Sequence, residues 1–116
     1  MAYVDGFLIP VKKTNKDAYV KMAQMAAEIW KDNGALEVVE CWGDDVPEGK
    51  VTSFPMAVKL EEDETVVFSW VTWPDRQARD AGNEKVMADP RMQMNQDMPF
   101  DGKRLIFGGF EVISKV

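Results

Sequence analysis

The nine residues Thr65 to Trp73, Thr-Val-Val-Phe-Ser-Trp-Val-Thr-Trp, restrict the fold more than any other part of the chain. β-Branched and aromatic side chains dominate them, so the segment reads as a strand. Alternate side chains of a strand face opposite ways, and here Val67 and Val71 oppose Val66, Phe68 and Trp70. Neither face is polar, so both need cover. The run Tyr3 to Val11, ended by Pro10, has the same property, with Val4 and Leu8 opposed to Tyr3, Phe7 and Ile9. One layer of helices covers only one face of such a sheet. An isolated subunit would then expose an aromatic patch of a size that monomers rarely carry. A two-fold homodimer with the sheets face to face is the simplest remedy.

The remaining elements follow from periodicity and punctuation. Tyr19, Met22, Ala23, Ala26 and Trp30 recur at spacings of three and four, which predicts a helix over Asn15 to Asn33. Thr14 or Asn15 would cap it, and Asn33-Gly34 would stop it. Ala35 to Gly43 reads as a second strand, and Asp44 to Gly49 as an acidic loop. Ser53 to Leu60 reads as a short strand or edge excursion weakened by Pro55. After the strand Thr65 to Trp73, Pro74-Asp75 opens a second helix that runs to about Asp89 and closes at Pro90. Met92 to Gly102 is irregular, and Lys103 to Ile113 is a last strand with a bulge expected at Gly108-Gly109. The order is β-α-β-β-α-β. It predicts an α+β, ferredoxin-like domain: an antiparallel four-stranded sheet with two helices on one face.

Composition narrows the chemistry. A length of 116 residues suits one domain spanning 1–116. The net charge is −6, and the 14 basic residues form no patch, which argues against nucleic acid as a partner. No apolar run is long enough to span a bilayer, so no membrane partner is expected. The opening Met-Ala-Tyr-Val-Asp-Gly has neither the basic nor the apolar region of a signal peptide, and the single cysteine suits a reducing compartment; both point to the cytoplasm. The 116 residues contain no histidine, which excludes Ser-His-Asp and Cys-His catalysis, His-ligated zinc and a proximal-His haem. No metal site and no cofactor are expected. Asp44, Asp45, Glu48 and Gly49 do not match the spacing of a calcium loop, and Gly108-Gly109 lacks the nucleotide-binding pattern.

Several segments carry a family likeness: YVDGF near the start, NGAL after the first helix, VVECWGDDVPEGKVT, ETVVFSWVTWPD, ADPRM, and DMPFDGKRLIFGGFE. Together they cover nearly the whole chain, which resembles the YbaA-like bacterial family of unknown function within the dimeric α/β-barrel superfamily. The resemblance implies a ferredoxin-like subunit, a homodimeric barrel and a bacterial cytoplasmic setting. It implies no reaction, because that superfamily includes cofactor-independent monooxygenases, isomerases and stress proteins alike.

Candidate site residues come from the strands. Glu40 alternates with Leu36, Val38 and Trp42, leaving Glu37, Val39 and Cys41 on the opposite face. A small Cys41 suits packing beneath helices, which places Glu40 and Trp42 toward the barrel interior. Asp5 takes the same side, with Gly6 opposite admitting a helix. Two carboxylates on one apolar face could share a site and act as general acid or base. The alternative is a structural ion pair with a base such as Arg104 or Lys103, the commoner fate of such carboxylates. Phe7, Trp42, Phe68 and Trp70 could line a pocket for a small apolar or aromatic ligand, or simply form core and interface. Cys41 reads as a small buried apolar residue, Asp89-Pro90-Arg91 as a helix terminator with a docking arginine, and Met92, Met94 and Met98 as gap fillers. Three functions remain open: a ligand-binding dimer, a cofactor-independent oxygenase or isomerase using Asp5 or Glu40, and a structural or stress-associated dimer with a filled barrel.

Overall fold

A computed structural model describes residues 1–93 and 98–116; Met94 lies outside them. Four strands, β1 (Tyr3–Lys12), β2 (Glu37–Trp42), β3 (Glu64–Trp73) and β4 (Ile106–Glu111), form one antiparallel sheet in the order β2-β3-β1-β4. Helices α1 (Lys16–Asp32) and α3 (Arg76–Ala88) cover one face, with short helices α2 (Phe54–Ala57) and α4 (Pro90–Gln93) between the main elements. This is the expected βαββαβ order and the ferredoxin-like arrangement. The apolar runs occupy the two central strands, which have neighbours on both sides.

The long helices obey their local signals in part. Asp75 caps α3 by accepting the Ala78 amide at 2.8 Å. At the end of α1, the Asn33 side chain donates to the Ile29 carbonyl at 2.9 Å and Gly34 turns at φ +107°. The start of α1 differs from expectation: a 3₁₀ turn over Lys13–Asn15 leads in, and Asn15 makes no side-chain cap. Arg91 docks on Asp32 of α1 at 3.1 Å, as its place after the helix suggested.

Two segments depart from their expected form. Ser53 to Leu60 is not a strand. Ser53 accepts the Met56 amide at 3.1 Å, and Pro55 sits in the first turn of α2, where its missing N–H costs nothing. No bulge interrupts β4, because Gly108 and Gly109 stay in continuous register with Gly6 and Asp5 of β1. Close approach is what Gly109 provides: a Cβ there would lie 2.5 Å from the Tyr3 hydroxyl and 2.7 Å from an Arg79 nitrogen.

The helix-side core holds Ile9, Val11, Tyr19, Ala23 and Val67, with a second cluster at Ala35, Val71 and Trp73. The opposite face is open. Phe68, Ile106 and Phe110 are 45%, 43% and 61% exposed there. Phe68 meets Phe54 of α2 at 5.9 Å and Trp70 at 5.5 Å. The second apolar side of β3 is therefore only partly satisfied within the subunit: Val66 is buried at one end, whereas Phe68 stays exposed.

Candidate functional site

Register decides which carboxylate meets which layer. Glu40 pairs opposite Ser69, and Cys41 opposite Phe68. Ser69 shares its face of β3 with Val67, Val71 and Trp73, all buried beneath the helices. Glu40 and Trp42 accordingly face the helices and not the open side, which reverses the expected assignment. Cys41 is exposed and not buried. The small residues that bring sheet and helix together are Ala23 and Ala26 on α1, so a small residue on β2 is not needed. Asp5 is reversed in the same way, and Gly6 faces the Phe110 ring on the open side.

The four aromatic candidates divide between the faces. Phe7 packs edge-on to Trp30 of α1 at 6.3 Å, and Trp42 packs on the helix-side core with Lys16 5.4 Å above its ring. Phe68 and Trp70 lie on the open face, so the four do not form one pocket.

The two carboxylates also divide. Asp5, 4% exposed, is the hub of a buried network. Its Oδ1 accepts from Arg79 Nε at 3.0 Å and lies 2.9 Å from Nη2 in an ion pair; its Oδ2 accepts from Trp73 Nε1 at 3.0 Å and Asn83 Nδ2 at 3.2 Å. Arg79 also stacks over Tyr3, 5.2 Å from the ring centre. Its guanidinium is held even further above its ordinary range, chiefly by the hydrogen bonds to Asp5. A carboxylate with both oxygens so engaged is an anchor between β1, β3 and α3. Its partner is Arg79 and not Arg104 or Lys103; Arg104 pairs instead with Glu64 and Asp101.

Glu40 stands at a cavity of about 130 Å³ between α1 and the sheet. Phe7, Ile9, Met22, Ala26, Trp30 and Leu105 give it apolar walls, with Met92, Met98 and Phe100 contributing; Asp5 does not line it. At one corner Tyr19 Oη donates to Glu40 Oε1 at 2.6 Å, and Ser69 Oγ donates to Oε2 at 2.9 Å. Tyr19 and Ser69 are 3% and 2% exposed, while Glu40, on an edge strand, keeps an exposed flank. Burial, then the Glu40 charge and the hydrogen bond to it, hold the Tyr19 phenol far above its usual range, so it remains a proton donor. Among the described residues no ion pair joins Glu40 to a base.

Sequence reasoning missed Tyr19, Ser69, Arg79 and Asn83. Tyr19 is read as one member of an apolar stripe. Ser69 carried a signal, because a hydroxyl amid β3's apolar residues calls for a buried partner. Arg79 and Asn83, four apart on α3, share one helix face.

Comparison with known proteins agrees with this fold. A protein of Escherichia coli K12, "Uncharacterized protein YbaA", is 59% identical over 114 residues, covering 97% of both chains. A Shigella flexneri protein of the same name matches to the same extent. The crystal structure of "a dimeric ferredoxin-like protein" from an uncultured marine organism aligns over 100% of both chains with a TM-score of 0.56 and 13% identity, a likeness of fold alone. A family model described as "Protein of unknown function (DUF1428)" matches residues 2–102. With its ferredoxin-like sheet, the family model matched over residues 2–102 and 59% identity to the YbaA proteins over 114 residues, the chain belongs to the DUF1428 family.

Proposed function

We propose that the protein is a cytoplasmic homodimer, joined through the open sheet face, in which each subunit binds a small apolar or aromatic molecule beneath α1. The observation that carries this reading is the cavity of about 130 Å³, with apolar walls and one polar corner. Binding sites of this kind combine apolar lining with a few placed polar groups. The volume is close to that of an engineered apolar cavity of about 150 Å³ that takes up benzene. The open aromatic face supports a second copy as its cover, and the fold neighbour is described as dimeric. The single, exposed thiol of Cys41 suits a reducing cytoplasm.

Toluene added to isotope-labelled protein should shift the Ala23 and Ala26 methyl resonances saturably. Ala26→Leu, which fills the cavity, should abolish that response while the protein stays folded. Unperturbed methyls at saturating toluene would remove the ligand-binding reading.

A second reading, a cofactor-independent oxygenase or isomerase, is favoured by one feature. Glu40 reaches the cavity and, among the described residues, is not tied to a base, as a proton acceptor needs. Asp5, engaged by three hydrogen bonds and an ion-pair contact, supports a structural role instead.

A further inference from the structure

The polar corner of the cavity has a definite sign. Among the described residues, four lining side chains carry polar hydrogen-bonding groups: Tyr19, Trp30, Glu40 and Ser69. Every donor among them is already engaged within the protein. Tyr19 and Ser69 donate to Glu40, and the Trp30 indole N–H donates to Asn83 Oδ1 at 3.4 Å. What remains among the described residues is acceptor capacity: the unoccupied lone pairs of the Glu40 carboxylate and of the two hydroxyl oxygens. The carboxylate also brings a negative charge with no base paired to it among the described residues.

An acceptor-only corner discriminates. A ligand that offers a hydrogen gains a charge-assisted bond. One that brings only a carbonyl or ether oxygen finds no free donor among the described lining side chains. One that brings a carboxylate meets like charge at the Glu40 corner and must strip its own hydration against the apolar walls. The walls admit roughly one ring by the volume argument above.

We infer that the cavity selects single-ring ligands bearing a hydrogen-bond donor, the chemistry shared by phenols and aryl amines, with Glu40 as the specificity-determining acceptor. The inference rests on the cavity being a ligand site. Tyr19 and Ser69 act as positioning residues: they fix the carboxylate at the rim, and Tyr19 occupies a lone pair that a ligand could otherwise use.

Titration of the labelled protein with phenol, aniline, toluene, anisole and benzoate, read at the Ala23 and Ala26 methyls, tests this. Phenol and aniline should bind more tightly than toluene and anisole by on the order of tenfold, the scale of one hydrogen bond to a charged acceptor. Benzoate should not bind. Glu40→Gln should bring phenol toward the affinity of toluene, whereas Tyr19→Phe, which frees Oε1, should hold or raise phenol affinity. If toluene and anisole bind as tightly as phenol and aniline, the cavity is a ligand site but the donor selection is wrong. Benzoate binding at phenol-like affinity overturns it equally, as does a phenol preference that survives Glu40→Gln. Silence from all five ligands would remove the cavity reading itself.

Discussion

Arg104 grips Glu64 with both terminal nitrogens, 2.7 Å to each carboxylate oxygen, and adds the Lys59 carbonyl at 3.0 Å. The Glu64 side chain is 3% exposed, so the pair fixes the start of β3 to the loop ahead of β4. The Arg104 hydrogen bonds hold the Glu64 carboxyl below its ordinary value of 4.5, and Asp101 is lowered by the same arginine. A depressed folded pKa contributes stability that is complete above the unfolded value and lost as pH falls through the folded one. Arg104→Met should therefore lower the melting temperature at pH 7, and the gap to wild type should narrow steadily as pH falls below 4.5. A gap independent of pH would show that the arginine acts by packing alone. Single residues of this kind were the least legible from sequence. Asp5 was marked as a carboxylate in an apolar strand, but its partners stand 68 to 78 positions away, and spacing carries no information at that range. The same limit hid the bond from Tyr19 to Glu40, whereas Asp75 as a cap was legible because its partner is three residues on.

Elements meet at a few points of close approach. Gly82 of α3 rests directly on the Trp73 ring, where a Cβ would overlap the indole and lie 2.7 Å from the Asn33 carbonyl oxygen. Gly82→Ala should cost about 1–3 kcal/mol by overpacking, against a helix-propensity gain of at most about 1 kcal/mol. Urea unfolding measures the balance, and a more stable variant would mean that α3 lifts freely from β3. At this scale the sequence was most informative about existence and order: the α1 stripe, the two central strands and the Pro-Asp start of α3 all stand as read. It failed on phase. β1 and β3 are apolar on both faces, so alternation could not say which face takes the helices, and a one-residue choice exchanged Glu40 for Cys41. Ser53 to Leu60 misleads for a different reason: Pro55 weakens a strand but equally suits the first turn of a helix, which is where it lies.

The whole molecule presents one finished face and one unfinished face. Phe110, 61% exposed at the edge of the open side, contributes little to its own subunit's core, so Phe110→Asp should spare the fold and act on association. Sedimentation should show a dimer for the native chain at micromolar concentration and a monomer for the variant, with unchanged far-ultraviolet circular dichroism. A native monomer would remove the dimer from the proposal. The sheet order also governs when the chain can fold. β1, first to be made, has Lys12 opposite Glu64 on one side and Tyr3 opposite Glu111 on the other. A growing chain thus holds an apolar strand that lacks one of its two neighbours until β4, some hundred residues on, has been made. Such long-range pairing makes folding slow and leaves the early strand open to wrong partners while it waits.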